Sequence, residues 1–374
     1  MRRRIWAGVA GAAAAALLAS GCGQGDAGGD SGGDSDGDGK HGRTGIAAQA
    51  ARQNAAVLPS PVALASTKVF VMDPAKANWD VGADPAAVKW SFDPRKDAGW
   101  GDLDPNRTWT GANEAKFYRL GGKTYLATVS GRGLAAVVEY GPGKQRFWGT
   151  SILTQPDSPN AYNPHSIELL PTGEVAVASS GDDKKGGVAY KDRNVCLFPR
   201  GVKTASSCQK LYSAHGVHWD PARKRLWAIG QRNSTSPYKP SLVAYRIDRS
   251  IAGQPKLIED TALSMGAPHG ALHDLTPVPG SDKVWVASGT PVYQVDLGAK
   301  SWDEVDAGIS VQGTKAVSTD PASGRVLSNV TFGGSTQMSD TARFHGPYET
   351  RTLKNNGAAY PFYKARWVTP RALD

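Results

Sequence analysis

The sequence predicts an all-β protein folded as a single β-propeller, and three observations carry that prediction. First, four segments share one template: His165-Ser-Ile-Glu-Leu-Leu-Pro-Thr-Gly-Glu-Val175, His215-Gly-Val-His-Trp-Asp-Pro-Ala-Arg-Lys-Arg-Leu226, His273-Asp-Leu-Thr-Pro-Val-Pro-Gly-Ser-Asp-Lys-Val284 and Lys315-Ala-Val-Ser-Thr-Asp-Pro-Ala-Ser-Gly-Arg-Val326. Each reads as a basic residue, a short strand, a Pro/Gly turn and a second strand such as Val175-Ala-Val-Ala. Second, the anchors 165, 215, 273 and 315 are 50, 58 and 42 residues apart, the interval expected of propeller blades. Third, strand-like runs follow one another between Gly, Pro, Asn and Asp clusters, with no amphipathic helix long enough for the crossovers of a parallel α/β sheet.

Taken in chain order, the first 21 residues open Met-Arg-Arg-Arg, continue as an apolar run to Ser20 and reach Leu18-Ala-Ser-Gly-Cys22. This resembles a bacterial lipoprotein signal and implies cleavage before Cys22 and diacylation of its thiol. The apolar run is too short to favour a permanent span, so the expectation is a palmitate-bearing anchor at the extracytoplasmic face of the cell membrane. Residues 22–60 read as a tether, because Gly, Asp and Ser dominate its first half and leave nothing apolar to bury. Asp34-Ser-Asp-Gly-Asp38 mimics the start of a calcium loop, but Gly45 stands where the closing glutamate is required, and that reading is rejected.

The propeller is expected over residues 61–374. Glu114-Ala-Lys-Phe-Tyr-Arg-Leu fits the template loosely, with Ala115 or Lys116 at the anchor, which makes a fifth unit. Neither Lys68-Val-Phe-Val-Met72 with Val88-Lys-Trp-Ser-Phe92 nor Phe362-Tyr-Lys-Ala-Arg-Trp-Val368 completes a blade alone. Joined, they make one and leave no free edge. The count is six blades, with seven as the alternative. Cys196 and Cys208 flank a turn-rich segment of one blade, where export would permit a disulfide; two inert thiols are the alternative.

The formal charge of +9 divides unevenly: the signal contributes +3, the tether about −3, and residues 46–374 about +9. A basic exported domain favours anionic polymers or an anionic surface. Nucleic acid is disfavoured, since no Lys/Arg cluster is interleaved with aromatics. Inner strands line a propeller's channel, and five of the seven histidines, His165, His215, His218, His269 and His273, lie on three inner-strand segments. His165, His215 and His273 are expected in one layer with Lys315, with Glu114, Lys116, Lys364 and Arg366 as members from other blades. Three imidazoles suit a divalent metal such as zinc or manganese, an anion held with lysine, or acid/base catalysis. The cation of Lys315 argues against the metal.

Other motifs are assigned to structure. Gly131-Arg-Gly-Leu-Ala-Ala136 is followed by a strand and turn rather than a helix, so it is a hairpin and not a dinucleotide loop. The eleven tryptophans are expected between blades or at the rims, Asp220-Pro and Asp320-Pro in turns, and His345 in a loop. The zincin motif His-Glu-x-x-His is absent, and Gly-x-Ser-x-Gly occurs only inside the Gly/Asp/Ser tether, at 29–33 and 33–37, away from any strand-like run.

Glu114-Ala-Lys, Pro164-His-Ser-Ile-Glu-Leu-Leu-Pro, Ala214-His-Gly-Val-His-Trp-Asp, Leu226-Trp-Ala-Ile-Gly and Gly313-Thr-Lys-Ala together resemble a family of exported bacterial β-propellers of unassigned function. The resemblance implies a cell-surface propeller and supplies no activity. Two groups are similar more weakly. Oligogalacturonate lyases gather channel histidines around a metal to act on acidic sugars, and arylsulfotransferases use a channel histidine in a His-Asp pair. Here Ser166 follows His165, and the one adjacent His-Asp is His273-Asp274. Three functions are therefore carried forward: a monomeric binder of an anionic small molecule or glycan fragment, a metal-assisted lyase or hydrolase of acidic carbohydrate, and an envelope scaffold.

Overall fold

The computed structural model describes residues 60–152, 163–181, 194–233, 236–268, 271–332 and 337–374. Six antiparallel sheets stand as blades around a channel. Blade 2 runs Glu114–Leu120, Lys123–Val129, Leu134–Glu139, Arg146–Ser151, and blade 3 runs Pro164–Leu169, Val175–Ser179, Asn194–Phe198, Ser207–Lys210. Blade 4 is Tyr212–Asp220, Arg225–Gln231, Pro240–Asp248, Lys256–Glu259, and blade 5 is Asp274–Pro277, Lys283–Ala287, Val292–Asp296, Ser301–Glu304. Blade 6 is Thr314–Thr319, Val326–Val330, Thr341–His345, Glu349–Asn355. In each, the strand named first lies innermost.

Blade 1 is built from both ends of the propeller. Val62–Ala65, Val69–Met72 and Val88–Phe92 supply three strands, and Lys364–Trp367 supplies the innermost, paired Val62 to Trp367 and Ala65 to Lys364. The expected six blades and the expected closure are both found. Two further pairings protect edges that would otherwise offer free N–H and C=O groups. Trp79–Asp80 adds in parallel to Leu353 and Lys354 on the outer strand of blade 6, and Arg371–Ala372 adds in parallel to Tyr118 and Arg119 on the inner strand of blade 2.

The hydrophobic core lies between blades, because each sheet turns both faces to its neighbours. Buried side chains form six clusters, each filled from two adjacent blades. Phe117 packs with Val71 between blades 2 and 1, Trp227 with Leu275 between blades 4 and 5, and Trp285 with Val317 between blades 5 and 6. At the closing seam Phe344 meets Trp367 edge-on, with centroids 5.4 Å apart. These are the interblade tryptophans the sequence led one to expect.

The turns behave as their residues dictate. Asp220 Oδ1 accepts the N–H groups of Ala222 and Arg223 at 2.9 and 3.1 Å, an Asx turn that ends the inner strand. The Gly131 motif is the hairpin turn between Val129 and Leu134. His345 departs from expectation: it closes the strand Thr341–His345, and its Nε2 lies 2.9 Å from Ser328 Oγ. Cys196 and Cys208 sit opposite each other on the two outer strands of blade 3 and are joined by a disulfide.

Candidate functional site

The channel side chains fall into three layers, and the top layer depends on irregular starts to the inner strands. In blade 3 the pairing jumps from Ser179–Pro164 to Ala178–Ser166, leaving His165 as the extra residue of a β-bulge. Lys315 is the extra residue in blade 6, between the pairs Thr314–Val330 and Ala316–Asn329. His215 lies in the unpaired stretch of blade 4 between Tyr212 and Gly216. In the other blades the top residue stands just before the ladder: the N–H groups of Asn113, His273 and Tyr363 bond to Val129, Ala287 and Ala65 at 2.7, 2.7 and 2.6 Å. Such irregularities re-aim one side chain without moving the rest of the strand. Residues that are neighbours in sequence, such as His273 and Asp274, therefore both serve the channel at successive depths.

The top layer is Asn113, His165, His215, His273, Lys315 and Tyr363, one residue from every blade, and all six line a cavity of about 1010 Å³. His165 and His215 stack with centroids 3.9 Å apart, and His215 meets His273 edge-on at 5.2 Å. Tyr363 Oη is 3.0 Å from His165 Nδ1, and His215 Nδ1 donates to the Ser213 carbonyl at 2.8 Å. Lys315 Nζ lies 3.2 Å from His273 Nδ1, donates to Gln337 Oε1 at 3.0 Å, and rests 4.7 Å from the centre of the Tyr363 ring. The three anchor histidines and Lys315 converge as expected. Ala115 and Lys116 do not hold the anchor of blade 2; Asn113 does. Tyr363 went unforeseen because the adjacent Lys364 looked like the channel residue.

Below this layer lies a buried ion network that contains the residues wrongly expected at the top. Arg366 grips Glu114 with Nε and Nη2, at 2.5 and 2.8 Å, and reaches Asp274 from Nη1 at 3.1 Å. Lys364 bridges the same two carboxylates at 3.2 and 3.1 Å. Deeper still, Lys116 binds Ser166 Oγ at 3.0 Å and Glu168 at 3.2 Å. Arg371 pairs with Glu168, donates to Tyr118 Oη at 3.0 Å and donates to His218 Nδ1 at 2.6 Å. Glu114, Lys116, Lys364, Arg366 and His218 thus sit beneath the top layer: Glu114 and Lys364 stand one residue past Asn113 and Tyr363, and Lys116, Arg366 and His218 three residues past the top residue of their blades. His269, the remaining candidate, lies outside the described residues.

Electrostatics follow from this stacking. Burial, then the charges of Lys315 and Lys364, hold His215 neutral with its pKa down at about 3. His165 and His273 are pushed down for the same reason. Burial and the neighbouring Lys364 lower Lys315 to about 7, with Asp274 opposing. In the network, burial would raise Glu114 and Glu168. The cations outweigh it, chiefly Arg366 at Glu114 and Arg371 at Glu168, and both carboxylates stay ionised. Among the described residues no group of three His, Cys, Asp or Glu side chains is arranged to hold a metal ion. The histidine rings meet by face and edge.

Residues 113–368, from Asn113 of the top layer to the residue after the closing strand, match the family of unknown function DUF6528. The chain belongs to that family. No curated protein matches its sequence. Among solved structures, a putative 6-phosphogluconolactonase from Bacteroides fragilis is similar over 79% of this chain and 82% of its own, at 10% identity and a TM-score of 0.47. A chain of the nidogen/laminin complex is similar over 82% of this chain and 97% of its own, at 12% identity and 0.47. The β-propeller domain of Cps50 (Swd1) from Myceliophteria thermophila is similar over 62% and 64%, at 11% and 0.39. The DUF6528 match takes in blades 2 to 6 and the closing strand, and leaves out the three amino-terminal strands of blade 1.

Proposed function

We propose that this DUF6528 protein is a lipid-anchored, extracytoplasmic propeller that binds an anionic small molecule or acidic glycan fragment in the upper cavity. One observation carries the reading. No acidic side chain is among the described residues that line this cavity, whereas Lys315, Arg132, three histidines, Asn113 and Gln337 all are. A carboxylate or phosphate entering it would meet hydrogen-bond donors and no like charge, and charge-assisted bonds are the strong ones. Tyr238, 55% exposed at the cavity wall, offers a face for a sugar ring.

The test is calorimetric titration of the purified protein at pH 6 with galacturonate, glucuronate and inorganic phosphate, with galactose as the uncharged control. Binding of at least one anion, absent for galactose and weakened tenfold or more by Lys315→Met, is expected. If Lys315→Met binds every anion as tightly as the parent, the reading fails.

A second reading, elimination or hydrolysis of acidic carbohydrate, draws support from Lys315. An amine whose pKa is near 7, bonded to His273, is placed to take or return a proton at neutral pH. Release of unsaturated or reducing ends from polyuronate, lost in Lys315→Met, would convert the binder into an enzyme.

A further inference from the structure

The other end of the channel opens into a second cavity of about 650 Å³ that shares no lining residue with the first. We infer that it is a separate binding site for an organic anion with an aromatic or apolar body. Three observations on this cavity agree.

The first is charge. Glu114 and Asp274 are balanced by Lys364 and Arg366, but Glu168 alone faces both Lys116 and Arg371. His218, held neutral with its pKa down at about 3 by burial and by Arg371, adds nothing to either side. Lys116, Arg371 and His218 all line the cavity, together with Asp220 and Asp282, whose carboxylates are both engaged by Arg223. Arg371 keeps a quarter of its side chain exposed, whereas its partner Glu168 is fully buried, so the guanidinium is the member of this pair presented to the cavity, and it is not presented to the upper funnel.

The second is the wall. Trp219, Leu275, Pro277, Trp367 and Leu373 make it largely apolar, the lining of a small-molecule site with a few polar groups at one end. The third is an orphaned pair. The indole N–H groups of Trp219 and Trp367 are both buried without a hydrogen-bond partner, and both rings belong to this wall. Buried donors are nearly always satisfied. An acceptor atom on a bound molecule, reached by a small shift of either ring, would satisfy them.

The upper cavity is lined by different residues, is less apolar, and has its own cation in Lys315. The test uses the purified full-length protein and 2-naphthoate, with 2-naphthamide as the uncharged isostere, read by isothermal titration and by quenching of tryptophan fluorescence. Naphthoate should bind at least tenfold more tightly than naphthamide. Arg371→Gln should remove that difference, and Ala222→Trp, at an exposed position on the cavity mouth, should block both probes without touching the ion network. Lys315→Met should leave naphthoate binding unchanged, which separates this site from the funnel. Equal affinity for the two probes, no binding of either, or loss of naphthoate in Lys315→Met would overturn the inference.

Discussion

Lys315 and His218 show how far a single side chain's chemistry depends on its depth in the channel. Both are buried, both have depressed pKa values, and their signs give the protein a defined response to pH. His215 and His218 titrate near 3 in the folded chain against 6.5 unfolded. Between those values the unfolded state binds more protons, so stability falls as pH drops below 6.5, by up to ~1.4 kcal/mol per pH unit for each histidine. Lys315, lowered from 10.5 to about 7, works in the window above; there stability rises with pH from 7 to 10.5. Urea unfolding at pH 7 and pH 5 should show the acid loss, and His218→Gln should flatten it. A slope unchanged by that substitution would mean His218 takes up its proton in the folded chain at the same pH as in the unfolded one. The sequence disclosed the histidines and their shared layer through the template. It did not disclose Asn113 and Tyr363, because neither is charged at neutral pH and each stands one position before a charged one that attracted the assignment.

At the scale of elements, the six-blade ring was legible because each template joins β-branched strands to a Pro/Gly turn at a steady interval. The bulges at His165 and Lys315 were not, since they arise from how a strand pairs with its neighbour and leave no composition of their own. Nor was it legible that in blades 2 and 1 the top residue, Asn113 or Tyr363, stands just before the ladder, which puts Glu114, Lys116, Lys364 and Arg366 below the layer where they were expected. Blade 3 illustrates a second device. Its outermost strand, Ser207–Lys210, is short and alternates between half-buried and exposed side chains, so little apolar burial holds it. The Cys196–Cys208 bond ties it to the strand inside, closing a loop with a sequence separation of 12. A loop of that size contributes roughly 2–3 kcal/mol by restricting the unfolded chain. The Cys196→Ser, Cys208→Ser double variant should unfold at correspondingly lower urea in non-reducing buffer, while anion binding at Lys315 stays the same. A midpoint unmoved by the double substitution would show that the strand packs well enough unaided.

Across the whole molecule, the proposed anchor and the channel are joined by a segment that reaches the propeller at Ser60. Ser60 N and Oγ bond to Asp320 at 3.3 and 2.8 Å, and Ser60 lines the lower cavity rather than the upper one. The lipoprotein signal proposed from Met-Arg-Arg-Arg, the apolar run to Ser20 and Leu18-Ala-Ser-Gly-Cys22 lies outside the described residues. Cys22→Ala expressed in a bacterium that processes lipoproteins should move the protein from the membrane fraction to the soluble one. Persistence in the membrane fraction would sink the lipoprotein reading. Ring closure by Lys364–Trp367 has a consequence of its own for synthesis. Glu114, Glu168 and Asp274 come from blades 2, 3 and 5 and are made early, while Lys364, Arg366 and Arg371, three of their four cationic partners, are made last. A chain cut short before residue 364 would bring those carboxylates toward one another with only Lys116 to separate them. The missing strand would also leave Glu114 and Asp274 without a counter-ion in the low-dielectric interior. Loss of the closing strand therefore costs the ring more than one ladder of backbone hydrogen bonds, because it also removes the cations that hold the carboxylates of three blades together.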